Sequence, residues 1–343
     1  MVDLDKIYEI LGLQDHQNSR KVLGLKITSI NTPALSSLSE IAICIESYYL
    51  DQIEDTQAQV ILTTPILAPK ISLIRSDIHL IIADDGRQAL FQLIRFFGGL
   101  IDLKGASLGQ AASLGQGSIH PTAVIAQTSY IHPTAIIGPF CVIDDHCEIG
   151  EGCYLQASVY LSKAVQLKSF VHIYPHAYLG ERTEIGHHVV IGPNAIVGMH
   201  GFGLDAKGRL PHLGKTVIGD HSEISGLTAI DRATLGVTSI GKGVQIDHLV
   251  QIAHNVKIED HVVLCAQVGI SGGAVIKNGC VLGGQVGVNN RVEIGEYAQI
   301  TAKTGVTKDL KGGTVYAGYP AEENKSYLKR LAQMKRFFSK NSD

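Results

Sequence analysis

Residues 246–256 read "IDHLVQIAHNV" and place two histidines, His248 and His254, and one aspartate, Asp247, in an otherwise apolar run. Histidine titrates near neutral pH, so either imidazole could take a proton from an attacking nucleophile. A nearby carboxylate could hold such an imidazole in one tautomer. Histidines can equally bind zinc, or simply decorate a scaffold. The frame in which these residues sit has to decide.

That frame is a repeat. From Ile119 an aliphatic residue returns every six positions through Val197, for example Ile137, Ile143, Ile149, Leu155 and Leu161. The pattern resumes at Ile218, Ile224 and Ile230, slips by four residues, and runs from Ile240 to Val306. Gly often follows the aliphatic, as in "IIGPF" and "EIGEG". Each hexad reads as a short strand plus a corner, with the aliphatic inward and Gly easing a tight turn. Three hexads make one triangular coil. The 29 hexads predict nine to ten coils, a parallel β-helix roughly 45 Å long at the usual strand spacing. Spacing does not set its hand; the rule for parallel crossovers favours right-handed.

The repeat also sorts the other chemistry-bearing residues. Cys141, Cys147, Cys153 and Cys280 share the fifth hexad place with Ala, Val, Thr and Ser. They read as small buried corner residues rather than a metal set. Two interruptions stand out, "GMHGFGLDAKGRLPHLGKTV" after Val197 and "DRATLGVTS" after Ile230. Solenoid insertions usually carry function.

Composition agrees with a turn-rich β protein. There are 37 glycines, no tryptophan and a net charge of -3, which does not suit a general nucleic-acid binder. The start lacks a basic, then apolar, leader, and no apolar run approaches the ~20 residues of a membrane span. A cytoplasmic protein with reduced thiols is expected. Residues 1–104 lack the hexad and read as a small α/β domain: "VDLDKIYEILGL" helical, "AICI", "QVILTT" and "IHLIIA" buried strands, "GRQALFQLIRFFGG" a helix closed by Gly. Residues 105–311 are the β-helix. Residues 312–343 read as a helical segment, with an apolar stripe at Leu328, Leu331, Met334, Phe337 and Phe338. Its basic face carries Lys325, Lys329, Arg330, Lys335, Arg336 and Lys340. Such a helix either caps the prism or docks an acidic partner.

The order of parts, with "GFG" at 201–203, "TAIDRAT" at 228–234, "GVQIDHLVQIAHNVKI" at 243–258 and "YAGYPAEENK" at 316–325, resembles the UDP-3-O-acylglucosamine N-acyltransferase family of lipid A biosynthesis. The resemblance implies a left-handed β-helix and a homotrimer. It implies transfer of a 3-hydroxyacyl chain to the 2-amine of a UDP-3-O-acyl-glucosamine. The donor would be the phosphopantetheine of acyl carrier protein, with no other cofactor and no metal.

On this resemblance His254, third in its hexad and expected at a strand centre pointing outward, is the general base. Asp247, one hexad back, is its orienter; its other reading is a corner aspartate bonding its own turn. His248 is a surface residue. Gly272 stands one coil above His254, where its N–H would face the oxyanion. Arg291 stands two coils and one residue above, where the family carries a second histidine. An arginine there keeps charge but is no base at neutral pH. "IAICIESYY" corresponds to the uracil-binding segment. Tyr49 keeps an aromatic wall, while Ile43 and Glu46 replace a phenylalanine and an asparagine. Two other readings stay open: a zinc enzyme on the same scaffold, needing three histidines, and a divergent copy acting on another sugar or acyl chain, or only binding.

Overall fold

The computed structural model describes residues 1–14, 24–102, 117–205, 208–318 and 324–340. The chain divides into two units, Met1–Ser107 and Leu108–Asp343.

In the first unit, strands Ser29–Asn31, Glu40–Cys44, Val60–Thr63 and His79–Ile82 form a four-stranded parallel sheet in sequence order. The inner strands are apolar on both faces because helices cover them. Helix α1 (Leu4–Leu11) buries Leu4, Ile7, Tyr8 and Leu11, and ends on Gly12 at φ 63°, a left-handed cap that glycine adopts freely. The Tyr8 hydroxyl lies 2.8 Å from Nε2 of buried His79 and ties α1 to the sheet. Helices α2 (Ala68–Ile74) and α3 (Gly86–Asp102) complete the unit. Helix α3 runs through Gly98 and Gly99 instead of stopping there. The expected boundary at 104–105 lies outside the described residues.

In the second unit the hexads coil as expected. Three parallel sheets of 11, 10 and 9 strands stack in register, with partners 18 residues apart in most coils. The repeating aliphatics from Ile137 to Val306 are buried in one continuous core. Ile119, in the end strand of its sheet, is half exposed. The four hexad cysteines are buried at the corners, as expected. Cys141, Cys147 and Cys153 donate to carbonyls one coil on, and burial pushes their thiols up.

The structure corrects the reason for the repeating glycines. At nineteen corners a non-glycine residue such as Asn255, His188 or Gln267 takes φ near +60°. Each such residue costs about 1–2 kcal/mol, which the core and ladders offset. Glycines after the aliphatic are needed instead for close approach. A Cβ on Gly138 would sit 2.8 Å from the backbone of Gln156, and one on Gly180 would sit 2.1 Å from Gly198 O.

The prism also continues beyond 311. Strand Val315–Tyr316 pairs with Gln299–Ile300, so the coil precedes the terminal helix α4 (Asn324–Lys340). All described side chains of α4, Lys329–Phe337, are exposed, Leu331, Met334 and Phe337 among them. The side chains at 325, 328, 338 and 340 lie outside the described ones.

Candidate active site

His254 is not at a strand centre. The strand is only Gln251–Ile252, and His254 begins the corner that follows it, half-buried. Its Nδ1 lies 3.2 Å from Asn255 Oδ1 and 3.3 Å from Thr234 Oγ1. The orientation of the Asn255 amide is set on both sides. Its Nδ2 donates to Leu235 O at 2.7 Å, and its Oδ1 accepts the Thr234 N–H at 3.0 Å. Turning the amide over would put two donors face to face. Oδ1 therefore faces the imidazole as an acceptor, and the network assigns the proton to Nδ1. Nε2 is left with a lone pair, the form a base needs.

Gly272 lies one coil above, against the Cε1–Nε2 edge of that ring. A Cβ there would come within 2.8 Å of His254 Cε1 and 2.9 Å of Nε2. Only glycine leaves the ring its place. Its N–H donates to no acceptor among the described residues, whereas the next amide, Gly273 N–H, is spent on His254 O at 3.0 Å. Arg291 stands one coil above Gly273, its N–H donating to Gly272 O at 3.1 Å. Its Cγ would touch a Cβ on Gly273 at 3.3 Å, and its exposed guanidinium makes no ion pair among the described residues.

Asp247 is not brought to His254 within one chain. Its Oδ1 accepts the His248 N–H at 2.7 Å and its Oδ2 the Ala266 N–H at 3.0 Å. It bonds its own corner and the coil above, the second of its two readings. The residues that orient His254 here are Asn255 and Thr234. His248, exposed, sets Nδ1 3.2 Å from Gly226 O.

The long excursion supplies a residue the hexad register could not show. Strand Ile196–His200 extends beside Ala229–Arg232, and the chain leaves through a hairpin, Leu204–Asp205 with Gly208–Arg209. It returns so that His212, 2% exposed, stacks on His254 with ring centroids 5.1 Å apart. Buried Arg232 pins the return by donating from Nε to Gly214 O at 2.8 Å, with Nη1 3.4 Å from Glu181 Oε2. The signals were the length of the excursion and the asparagine following His254.

Beside this corner runs a groove of about 420 Å³. Gln251, Gly269, Gly287 and Gly305 occupy successive outward strand positions, so above Gln251 the floor has no side chains.

In the first unit, Ile43 does not line a site. It is 7% exposed in the core with Leu62 and Ile81. An alternating central strand of a covered sheet buries it. Glu46 is exposed, 3.9 Å from Arg87 Nη2. Tyr49 is partly buried, and the more exposed ring is Tyr48, tilted 40° against it with centroids 4.2 Å apart. A 350 Å³ pocket lies where the sheet strands end, lined by Ile45, Ser47, Thr64 and Asp84. No group of three His, Cys, Asp or Glu residues that could hold a metal occurs among the described residues. No helix among them is long and apolar enough to cross a membrane.

Coils, corners and core define a left-handed parallel β-helix of hexapeptide repeats. Residues 238–272 match the bacterial transferase hexapeptide model of six repeats, and 119–198 match the GMPPB C-terminal domain model. Over 138 residues the chain is 44% identical to a UDP-3-O-acylglucosamine N-acyltransferase of Methylobacterium nodulans, covering 40% of this chain and 39% of that one. Over 134 residues it is 42% identical to the protein of that name from Campylobacter concisus, covering 39% and 42%. The chain thus spans about two fifths of the length of the curated relatives it matches. The fold is similar to that of a UDP-N-acetylglucosamine acyltransferase from Arabidopsis. That likeness has a TM-score of 0.56 at 27% identity and covers 64% of this chain and 80% of that one.

Proposed function

We propose that the protein is an acyltransferase that moves a 3-hydroxyacyl chain from acyl carrier protein to the 2-amine of UDP-3-O-acyl-glucosamine. The observation that carries this is His254, its proton locked on Nδ1 and its Cε1–Nε2 edge against Gly272, whose N–H donates to no acceptor among the described residues. The names of the similar proteins point to the same substrate class.

In this reading the sugar amine attacks the thioester carbonyl while its proton passes to Nε2 of His254. The carbonyl oxygen becomes an oxyanion beside the Gly272 N–H. When the intermediate collapses, the C–S bond breaks and the imidazolium returns the proton to the leaving thiolate. The amide is formed and the base is regenerated. The glycine-floored groove takes the acyl chain. Arg291, free of ion pairs among the described residues, faces an anionic part of donor or acceptor. Asp247 enters only from a second copy, since its own chain holds it at the corner.

A homotrimer fits the outward faces. One sheet carries Val124, Val142, Tyr160, Tyr178 and Ile196, with Tyr160 and Tyr178 stacked at 5.5 Å. The opposing sheet position is polar, with Glu148, Gln166 and Glu184. The exposed basic and apolar side chains of α4 suit acidic acyl carrier protein. The strand-end pocket of the first unit, with Tyr48 and Tyr49 on the following segment, holds the uracil. Ile43 contributes nothing to it, and Glu46 stands where an amide was expected. This favours a second reading, the same transfer onto a different nucleotide sugar.

The test is incubation with UDP-3-O-acyl-glucosamine and a panel of 3-hydroxyacyl carrier proteins, read by mass spectrometry. The N-acylated product should form with wild-type protein and disappear in His254→Ala. Full transfer by His254→Ala would refute the mechanism. No binding of UDP-GlcNAc-type ligands at millimolar concentration would favour the second reading.

A further inference from the structure

His212 comes to the corner from the excursion rather than from a hexad, and two contacts of its ring can be separated. Its Nδ1 accepts the Gly201 N–H at 2.6 Å, which holds the start of the excursion to its end. The clasp is reciprocal, since the His212 N–H donates to His200 Nδ1 at 3.1 Å. Its ring meanwhile covers a face of His254, 5.1 Å between centroids and 30° between planes. The accepting nitrogen carries no proton, so the stacked ring is held in one tautomer.

Asn255 and Thr234 hold His254 only at Nδ1. A ring anchored at one nitrogen can still swing about that contact. Gly272 bounds the Cε1–Nε2 edge but offers no side chain to grip it. The face needs its own restraint, and His212, buried and itself fixed by backbone, provides it.

We propose that His212 is a positioning residue that sets the plane of the His254 imidazole, so that Nε2 is aimed before substrate arrives. This rests on the reading of His254 as the base. A catalytic group held in its productive geometry spares the reaction the cost of ordering it, and a small misplacement is expensive.

Three variants of the full-length protein separate the two contacts. His212→Ala loses both. His212→Asn keeps an acceptor and loses the ring. His212→Phe keeps a ring and loses the acceptor. Ala and Asn should lower kcat roughly tenfold with KM changed less than about twofold, while Phe retains most of kcat. Thermal unfolding identifies any variant that fails to fold.

A second measurement does not use activity. The Cε1–Hε1 signal of His254, assigned by its loss in His254→Ala, should be single and sharp in wild type and Phe. It should broaden or double in Ala and Asn. If Phe is as slow as Ala, if KM moves instead of kcat, or if the His254 signal is the same in all four proteins, the positioning role is wrong. Retained transfer by His254→Ala would instead remove the function and leave the signal test standing.

Discussion

Nε2 of His254 would lie 2.9 Å from a Cβ placed on Gly272, so imidazole edge and glycine occupy one site on successive coils. The imidazole edge and the glycine meet there because the coils stack in register 18 residues apart. A candidate base and a candidate oxyanion donor are thereby placed by the repeat itself.

Gly272→Ala tests that relationship. Gly272 does not have a positive φ, so alanine meets no backbone penalty, only the imidazole. The ring must move by a few tenths of an ångström or more. Transfer should fall roughly 100-fold, as a misplaced catalytic group costs. Circular dichroism should remain that of the wild type. Activity within about threefold of wild type would show that the ring edge is not where the reaction occurs.

Asn255→Ala removes the acceptor that assigns the His254 proton. It also strips the Thr234 N–H and Leu235 O of their partners and leaves alanine at φ 60°. Stability should drop by about 1–3 kcal/mol, from unpaired groups and left-handed backbone. Below the melting temperature the folded protein should still be slow in transfer, because either imidazole nitrogen can now hold the proton. Urea titration and single-turnover transfer by the folded fraction separate the two effects. Wild-type turnover by the folded protein would assign the tautomer elsewhere.

Asp220 gives a pH signature. It accepts the His187 N–H at 2.9 Å and lies 3.3 Å from Lys242 Nζ, and these hold its carboxyl below the usual range, the hydrogen bond foremost. A depressed folded value stabilises the protein above the unfolded value, near 4, and the contribution is lost as pH falls through the folded one. Asp220→Asn should therefore cost about 0.5 kcal/mol at pH 7, the scale of a surface pair, and nothing in strong acid. Urea midpoints at pH 7 and in acid would show it. An equal loss at both would assign the cost to packing.

What the sequence could and could not disclose follows the physics of a two-residue strand. The inward aliphatic is a rigid requirement, so the register was readable from Ile119 to Val306. The third hexad place was misread as strand, because a strand of two residues has already entered its corner by His254. Asp247 was legible both as a partner one hexad away and as a corner aspartate bonding its own turn; its bonds to His248 and Ala266, which decide for the second, depend on corner geometry. Asn255 and His212 escaped for different reasons. The first acts through an amide whose orientation only its neighbours fix. The second depends on where a long excursion returns. In the first unit, Ile43 was placed by correspondence to a binding segment, but a covered central strand points it into the core.

The last expectation concerns chain length. Gly269, Gly287 and Gly305 form the floor of the groove beside His254, and a Cβ on any of them meets nothing within 4 Å. A larger residue there should therefore be tolerated by the fold and felt only by the ligand. Successive coils are roughly 4.8 Å apart, so a side chain at 287 obstructs the groove about two coils beyond Gln251. Gly287→Leu should leave the melting temperature within a few degrees of wild type, since solvent-facing substitutions are usually within about 0.5 kcal/mol. It should shift the preferred donor to a shorter 3-hydroxyacyl chain by several carbons, read from the products of a mixed-length panel. Gly305→Leu, one coil further on, should block only longer chains. If both variants keep the wild-type length profile, the acyl chain does not run along this face, and the groove belongs to subunit contact instead.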